Sequence, residues 1–366
     1  MIPAHWRLPL VSPFPTVAQT QVLTTIFAPD AEARKAFNAW RAAVDLHGPF
    51  DSEVFRLLPL LYLRLRELEI EDSLMPRLKG TYRHALVRNI WLLHETGPPV
   101  AALERAGIPT LMLKGAPLAL LSYSRRGARP MADLDVAVPK GRLAEAVRVL
   151  ESAGWTSNRL NRGAISIFHA APFRNARGGE FDLHWHILPE TSGKTIEAYF
   201  WETARPFDLD GIATLMLDPA LALVHALVHG LRSNPVPPVR WVADTLTLIR
   251  GSDDLDWSLL VEFARAAHVT QRVGLGLTLL AQRFDAPVPV DALQQLAASR
   301  PTLMERLETT AVLFETRGLV GNAIAKPVNL ITDYMRQADE PGLRRLSGFF
   351  QYVRRRVAVN SVLEHR

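Results

Sequence analysis

The sequence predicts an α+β fold: a small mixed sheet flanked by N-terminal and C-terminal helical regions. Three observations carry this reading. Apolar residues recur at three- and four-residue spacing toward both ends of the chain. The middle instead holds short apolar runs bounded by glycine and proline. The long strand–helix–strand alternation of a doubly wound sheet is absent.

Taken in order, residues 1–16 read as an irregular arm, because prolines at positions 3, 9, 13 and 15 break any regular element. Residues 17–106 form an N-terminal helical region. Phe55, Leu58, Leu61 and Leu65 make one helical stripe, and Tyr82, Leu86 and Ile90 make another. Residues 107–217 are the expected α/β core. The run 108–113, closed by Gly115, and the run 134–138, ended by Pro139, read as buried strands. Residues 141–153 read as a helix with Leu143, Val147 and Leu150 on one side and Gly154 as its stop. The stretches 164–169 and 180–187 are strand candidates, joined by a hairpin at Gly178 and Gly179. Residues 218–366 form a C-terminal helical domain, with helices expected over 221–231, 239–249, 257–267 and 269–284. Pro235, Pro237 and Pro238 punctuate the first two.

The 366 residues are 48% hydrophobic and 22% charged, an ordinary balance for a globular protein able to bury a sizeable core. The absence of cysteine removes disulfides, thiolate zinc sites, iron–sulfur clusters and cysteine nucleophiles together. A net charge of +5 permits a phosphate-bearing partner without demanding one. The late runs Arg344-Arg345 and Arg354-Arg355-Arg356 read as solvated helix faces, since no aromatic platform for RNA accompanies them. Apolar stretches fall short of the ~18 residues that span a membrane. The expectation is therefore a cytoplasmic protein with no membrane partner.

One constellation carries chemistry. Lys114-Gly115 closes a strand, Arg129 precedes the pair Asp133 and Asp135, and Asp182 stands in a later strand. Side chains two apart on a strand share a face, so Asp133 and Asp135 are expected to project together while Leu134 and Val136 enter the core. Two adjacent carboxylates repel unless a cation sits between them, and Mg²⁺ accepts one or two carboxylates plus phosphate oxygens. A third carboxylate on a neighbouring strand can bind a second ion or act as base. Gly115 opens a helix-like stretch with Pro117 in its first turn, a place where backbone N–H groups can meet a phosphate. Lys114 and Arg129 can neutralise phosphate charge.

These residues, over Leu111 to Leu188, resemble the polymerase-β-like nucleotidyltransferase superfamily. The pattern Leu113-Lys114-Gly115, Arg129 to Asp133-x-Asp135, then Asp182-x-His184-Trp185 is similar to an uncharacterised bacterial nucleotidyltransferase family within it. The resemblance implies two-metal Mg²⁺ chemistry and an NTP, such as ATP, as donor. It assigns Asp133, Asp135 and Asp182 as metal-binding catalytic residues, and Lys114, Gly115, Arg129 and His184 to the nucleotide. Ala116 stands where the wider superfamily has a serine, and the Gly115-to-Asp133 gap is longer than usual.

The function expected is transfer of NMP to an unidentified acceptor with release of pyrophosphate. A peptide, sugar or small molecule fits that acceptor better than RNA. The alternatives are a kinase-like phosphotransferase on the same core and an inactive NTP-binding scaffold. His225 and His229 share a helix face. With Asp244 they form either a hydrogen-bonded polar cluster or a metal site. His184 and His186 lie on the Asp182 face, and Trp185 points the other way into the core.

Overall fold

The computed structural model describes residues 14–45, 48–160, 165, 168–191, 194–232, 239–252, 254–315, 318–337, 348–350 and 352–354. Most of the expected arm, the prolines at 235, 237 and 238, and all of the two arginine runs except Arg354 lie outside the described residues. The chain divides into two compact units: Met1–Leu93 with Lys114–Ala132 and Pro219–Pro301, and His94–Leu113 with Asp133–Asp218 and Thr302–Arg366. Among the described residues no helix is long and apolar enough to cross a membrane.

The first unit is helical. Its opening helix, Val17–Phe27, starts at a capping box: Thr16 Oγ1 accepts from the Gln19 N–H, and Gln19 Oε1 accepts from the Thr16 N–H. Leu58, Leu61 and Leu65 of the Leu58–Glu67 helix are fully buried as their spacing predicts, whereas Phe55 is exposed. The second stripe is displaced around its helix. Over residues 75–92 of Met75–Arg105 the buried positions are Leu78, Ala85, Asn89 and Leu92, while Tyr82 and Leu86 are half-buried and Ile90 is exposed.

A polar anchor explains the displacement. Buried Asn89 donates to the carbonyls of Arg126 (2.5 Å) and Arg129 (2.8 Å) and accepts from the Met131 N–H (3.0 Å). This side chain satisfies three backbone groups of the 114–132 segment, which would be costly to bury unpaired. Gly127 presses against the same helix: a Cβ there would come within 2.9 Å of Leu86 Cβ and Tyr82 Cε2. The helices expected late in this unit are Pro219–Gly230, Arg240–Gly251, Trp257–Ala266 and Thr270–Phe284, each within two residues of its expected ends.

The second unit contains the sheet. Its strands are β1 (Leu111–Leu113), β2 (Asp135–Ala137), β3 (Ala170–Arg174), β4 (Glu180–His184), β5 (Arg205–Asp208) and β6 (Ala213–Met216), in the order β3-β4-β2-β1-β6-β5. Pairing is mixed. β2 runs antiparallel to β1 but parallel to β4, and β6 runs parallel to β1. Phe181 and Leu183 of β4 are buried. Phe181 packs edge-on to Trp155 and stacks on Phe173. The fold is therefore α+β, with helices flanking one mixed sheet.

One sequence expectation needs correction here, and one strand pair is added. The strand expected over 164–169 instead begins at Ala170; residues 164, 166 and 167 lie outside the described residues, and Ile165 is helical. The hairpin itself is present. Asn175 Oδ1 accepts from the N–H groups of Arg177 and Gly179, closing a tight loop before β4. The edge pair β5–β6 escapes the sequence reading because both strands are four residues long and neither alternates cleanly. A signal exists between them, in Asp208 to Gly211. Asp210 and Gly211 have positive φ, and Asp208 accepts from the Gly211 N–H.

Candidate metal centre and the arginine cluster

Within the sheet unit, register determines the site. Asp135 is the first residue of β2, and its parallel partner on β4 is Asp182. His184 lies two residues beyond Asp182, on the same face. Each of the three offers a ligand atom, and these atoms all lie within 4.8 Å of one another. Asp135 and His184 are buried, and Asp182 is half-buried. His184 Nε2 is 2.9 Å from Asp135 Oδ1. A cation with bonds of ~2.1 Å holds adjacent octahedral ligands ~3 Å apart, so this pair fits one edge of such a shell. Two carboxylates and an imidazole are a donor set that a divalent cation accepts.

The imidazole is aimed by its surroundings. His184 Nδ1 faces the His186 carbonyl at 3.4 Å, which directs Nε2 toward Asp135. That carbonyl belongs to a braced peptide. Glu197 Oε1 accepts from the Ile187 N–H at 3.2 Å and lies 3.3 Å from His186 Nδ1. Exposed Lys140 contributes Nζ at 3.1 Å from His186 Nε2. Lys140, His186 and Glu197 thus hold the backbone that orients His184.

Asp133 differs from its expected placement on a strand. β2 starts at Asp135, and Asp133 occupies a half-buried bend before it. Sheet bonding reaches Leu134, whose carbonyl accepts from the Asp182 N–H at 2.8 Å, and Asp133 lies beyond it. Trp185 is buried, as its position predicts.

The other expected residues belong to the helical unit. Lys114 has φ 45° and ψ −94°, an uncommon conformation for a residue with a Cβ. The stretch after it is one short turn, Gly115–Pro117, followed by a π-helical turn, Leu118–Ser122, rather than a regular helix. Gly115 lies close beneath two side chains: a Cβ there would meet Met131 Sδ at 3.1 Å and an Arg129 Nη1 at 3.3 Å. Arg129 is buried and bidentate to Asp244, with Nε–Oδ1 and Nη2–Oδ2 both 2.8 Å. Tyr123 donates to Asp244 Oδ1 at 2.7 Å.

Burial alone would raise the Asp244 pKa, but the Arg129 charge and hydrogen bonds outweigh it and hold the carboxyl below its ordinary value. Burial, then the Asp244 charge, push the Tyr123 hydroxyl well above the ordinary tyrosine range. Asp244 is thus engaged by Arg129 and Tyr123 rather than joined with the histidines in a metal site. His225 and His229 stack with ring centroids 6.0 Å apart. Among the described residues, the cluster of three or more potential metal ligands is Asp135, Asp182 and His184. The resemblance assigns His184 to the nucleotide, and its i, i+2 spacing from Asp182 also places it beside the carboxylates. Asp244 as the partner of Arg129 had no local signal.

A family model described as uncharacterised nucleotidyltransferase matches residues 52–285, more than half of the chain. The chain belongs to that family. The match to this nucleotidyltransferase family covers both the acid–histidine group and the arginine cluster. No curated protein is significantly similar to the chain. Among solved structures, it is similar to an antigenic nucleotidyltransferase-like protein from Paracoccidioides brasiliensis. That match has 16% identity and a TM-score of 0.36, covering 58% of this chain and 94% of the other.

Proposed function

We propose that this chain transfers a nucleoside monophosphate from an NTP to an acceptor and releases pyrophosphate, with a divalent cation as cofactor. The observation that carries the reading is the convergence of Asp135, Asp182 and His184 on one sheet face in a member of a nucleotidyltransferase family. These three, with Asp133 two residues upstream of Asp135, would hold Mg²⁺, two ions in the full complement. The bound cation supplies charge neutralisation along the triphosphate and at the reacting phosphoryl group.

The chain's own residues divide the remaining work. Asp135 is the rigid anchor, fixed by its ladder position and by His184. Asp182 is less buried, so an acceptor hydroxyl can reach it, and it takes that hydroxyl's proton. The acceptor oxygen bonds to the α-phosphorus, and the α–β bridging oxygen departs with pyrophosphate. Lys114 balances phosphate charge near Gly115, and Arg129, buried and held by Asp244, contributes through its field rather than by contact. The acceptor is a peptide, sugar or small molecule.

The test is product analysis with each NTP, Mg²⁺ or Mn²⁺, and candidate acceptors. Pyrophosphate and an NMP-bearing acceptor are expected, and both disappear in Asp135→Asn. Release of a nucleoside diphosphate would reassign the chemistry to γ-phosphoryl transfer. Cation-dependent NTP binding without turnover on any acceptor would make the chain a binding scaffold.

A further inference from the structure

In the helical unit, among the described residues, two guanidinium groups approach one buried carboxylate, Asp244. Asp244 is engaged on both oxygens by Arg129, and on Oδ1 by Tyr123 as well. A second guanidinium, Arg240, approaches the same carboxylate but its Nε remains 4.0 Å from Oδ2. Its Nη1 donates to the Pro130 carbonyl at 2.9 Å, a neutral acceptor that cannot cancel its charge. Arg56 adds a third cation, 3.6 Å from Glu53 Oε1, and Glu53 Oε2 also accepts from the Val239 N–H. Among the ion pairs described, Arg129 and Arg240 lie against Asp244 and Arg56 against Glu53.

The arrangement is unfavourable for Arg240 as it stands. Burial, followed by repulsion from Arg129, outweighs the attraction of Asp244 and lowers its pKa to about 10. At neutral pH it still keeps its proton, so its charge persists. Arg240 is also the first residue of the Arg240–Gly251 helix, the end at which the helix dipole adds positive charge. A half-buried cation with incomplete compensation costs stability, and an anion placed against it recovers that cost. Access differs between the arginines. The side chains of Arg240 and Arg56 are 25% and 45% exposed, whereas that of Arg129 is 4% exposed. A ligand from solvent can reach the first two, and the third sets the field behind them.

We propose that Arg240 and Arg56, backed by Arg129, form an anion site for a phosphate group of a substrate. A planar guanidinium presents paired donors that match phosphate oxygens. The choice of phosphate over other anions rests on the nucleotidyl-transfer reading; the existence of an anion site rests on the charge geometry alone.

The experiment is calorimetric titration of the full chain, metal-free in a chelator, with tripolyphosphate and separately with orthophosphate. Wild type is expected to bind at least one of them. Arg240→Gln should weaken that binding by roughly 10- to 150-fold, the range for a charged hydrogen bond. Arg56→Gln should weaken it less, and Arg240→Lys should recover part of the loss. The melting temperature of ligand-free Arg240→Gln should hold or rise, because removing an under-compensated cation relieves repulsion. A structural role would lower it.

Competition between tripolyphosphate and NTP would identify the donor's phosphate tail as the natural occupant. Orthophosphate bound together with NTP would identify an acceptor phosphate. Absence of phosphate binding to wild type, or affinity within twofold in Arg240→Gln, would overturn the proposal. Failure of nucleotidyl transfer is separable. Arginine-dependent phosphate binding in a protein that releases no pyrophosphate would leave the site standing and remove only the transfer reading.

Discussion

The acid–histidine group of the sheet unit and the arginine–aspartate group of the helical unit are both buried and charged, but they are built in opposite ways. In the sheet, Asp135, Asp182 and His184 stand on two adjacent parallel strands, where ladder geometry fixes their spacing. Anionic charge is in excess there, and a cation relieves it. In the helical unit, Arg129 and Asp244 are 115 residues apart and meet through packing of a loop on a helix. Two guanidinium groups crowd one carboxylate, and on our proposal an anion offsets their charge. One site is specified by strand register and the other by tertiary packing. Their responses to substitution should differ accordingly.

The largest stability effect belongs to the packed cluster. Asp244→Ala leaves Arg129 buried without its carboxylate and should cost about 3–5 kcal/mol, measured by denaturant unfolding. A loss below about 1 kcal/mol would show that the cluster is not structural and would erase the contrast. The same residue sets a pH dependence. Its folded pKa is depressed, so its stabilising contribution is present above the unfolded carboxyl pKa and is lost as pH falls through the folded value. Asp244→Asn should therefore flatten the acid limb of the stability curve.

The acid–histidine group should answer in metal binding before it answers in folding. Asp135→Asn keeps shape and hydrogen bonding but loses charge. Metal-free stability should change by less than about 1 kcal/mol. The stabilisation given by saturating Mn²⁺, about 2.7 kcal/mol at a hundred times Kd, should vanish. Melting curves with and without Mn²⁺ measure both. A large metal-free loss would make Asp135 a structural residue like Asp244.

Glu197→Ala sharpens the comparison without touching a ligand. It releases the peptide whose carbonyl orients His184. Metal affinity should fall about tenfold, at the lower end of what outer-shell changes cost. Titration with Mn²⁺ reads it, and an unchanged affinity would show that His184 is aimed without this brace.

The smallest effect is expected at Lys114. Its positive φ is relieved by glycine, so Lys114→Gly should raise stability by about 1 kcal/mol while weakening NTP binding through loss of charge. If stability rises and NTP binding is unaltered, Lys114 has no part in holding phosphate.

Much of the sheet face was legible from residues 180 to 185. Alternation alone separates buried Phe181 and Leu183 from Asp182 and His184, because successive side chains on a strand point to opposite sides. The same rule, applied to Asp133 and Asp135, reaches past the strand's start at Asp135, since nothing local marks where ladder pairing begins. In the Met75–Arg105 helix, hydrophobicity alone selects Tyr82, Leu86 and Ile90. The buried face instead carries Asn89, which a hydrophobic pattern discounts. Its placement follows from the backbone groups of a distant loop that it satisfies.

By itself, the sequence determined the α+β class, the approximate positions of the late helices, and the residue types able to bind a cation. These follow from local rules: helix period, strand alternation, and the φ freedom of Gly154, which ends its helix at φ +82°. Only the tertiary structure decided that Asp135 stands beside Asp182, that Arg129 is held by Asp244, and that Arg240 is left with a partial counter-charge. Each of those depends on residues 47 to 115 positions apart, or on a third group competing for one carboxylate. Local periodicity carries no record of which distant segment completes a pair. Strand register, backbone satisfaction and charge balance make that choice when the chain packs.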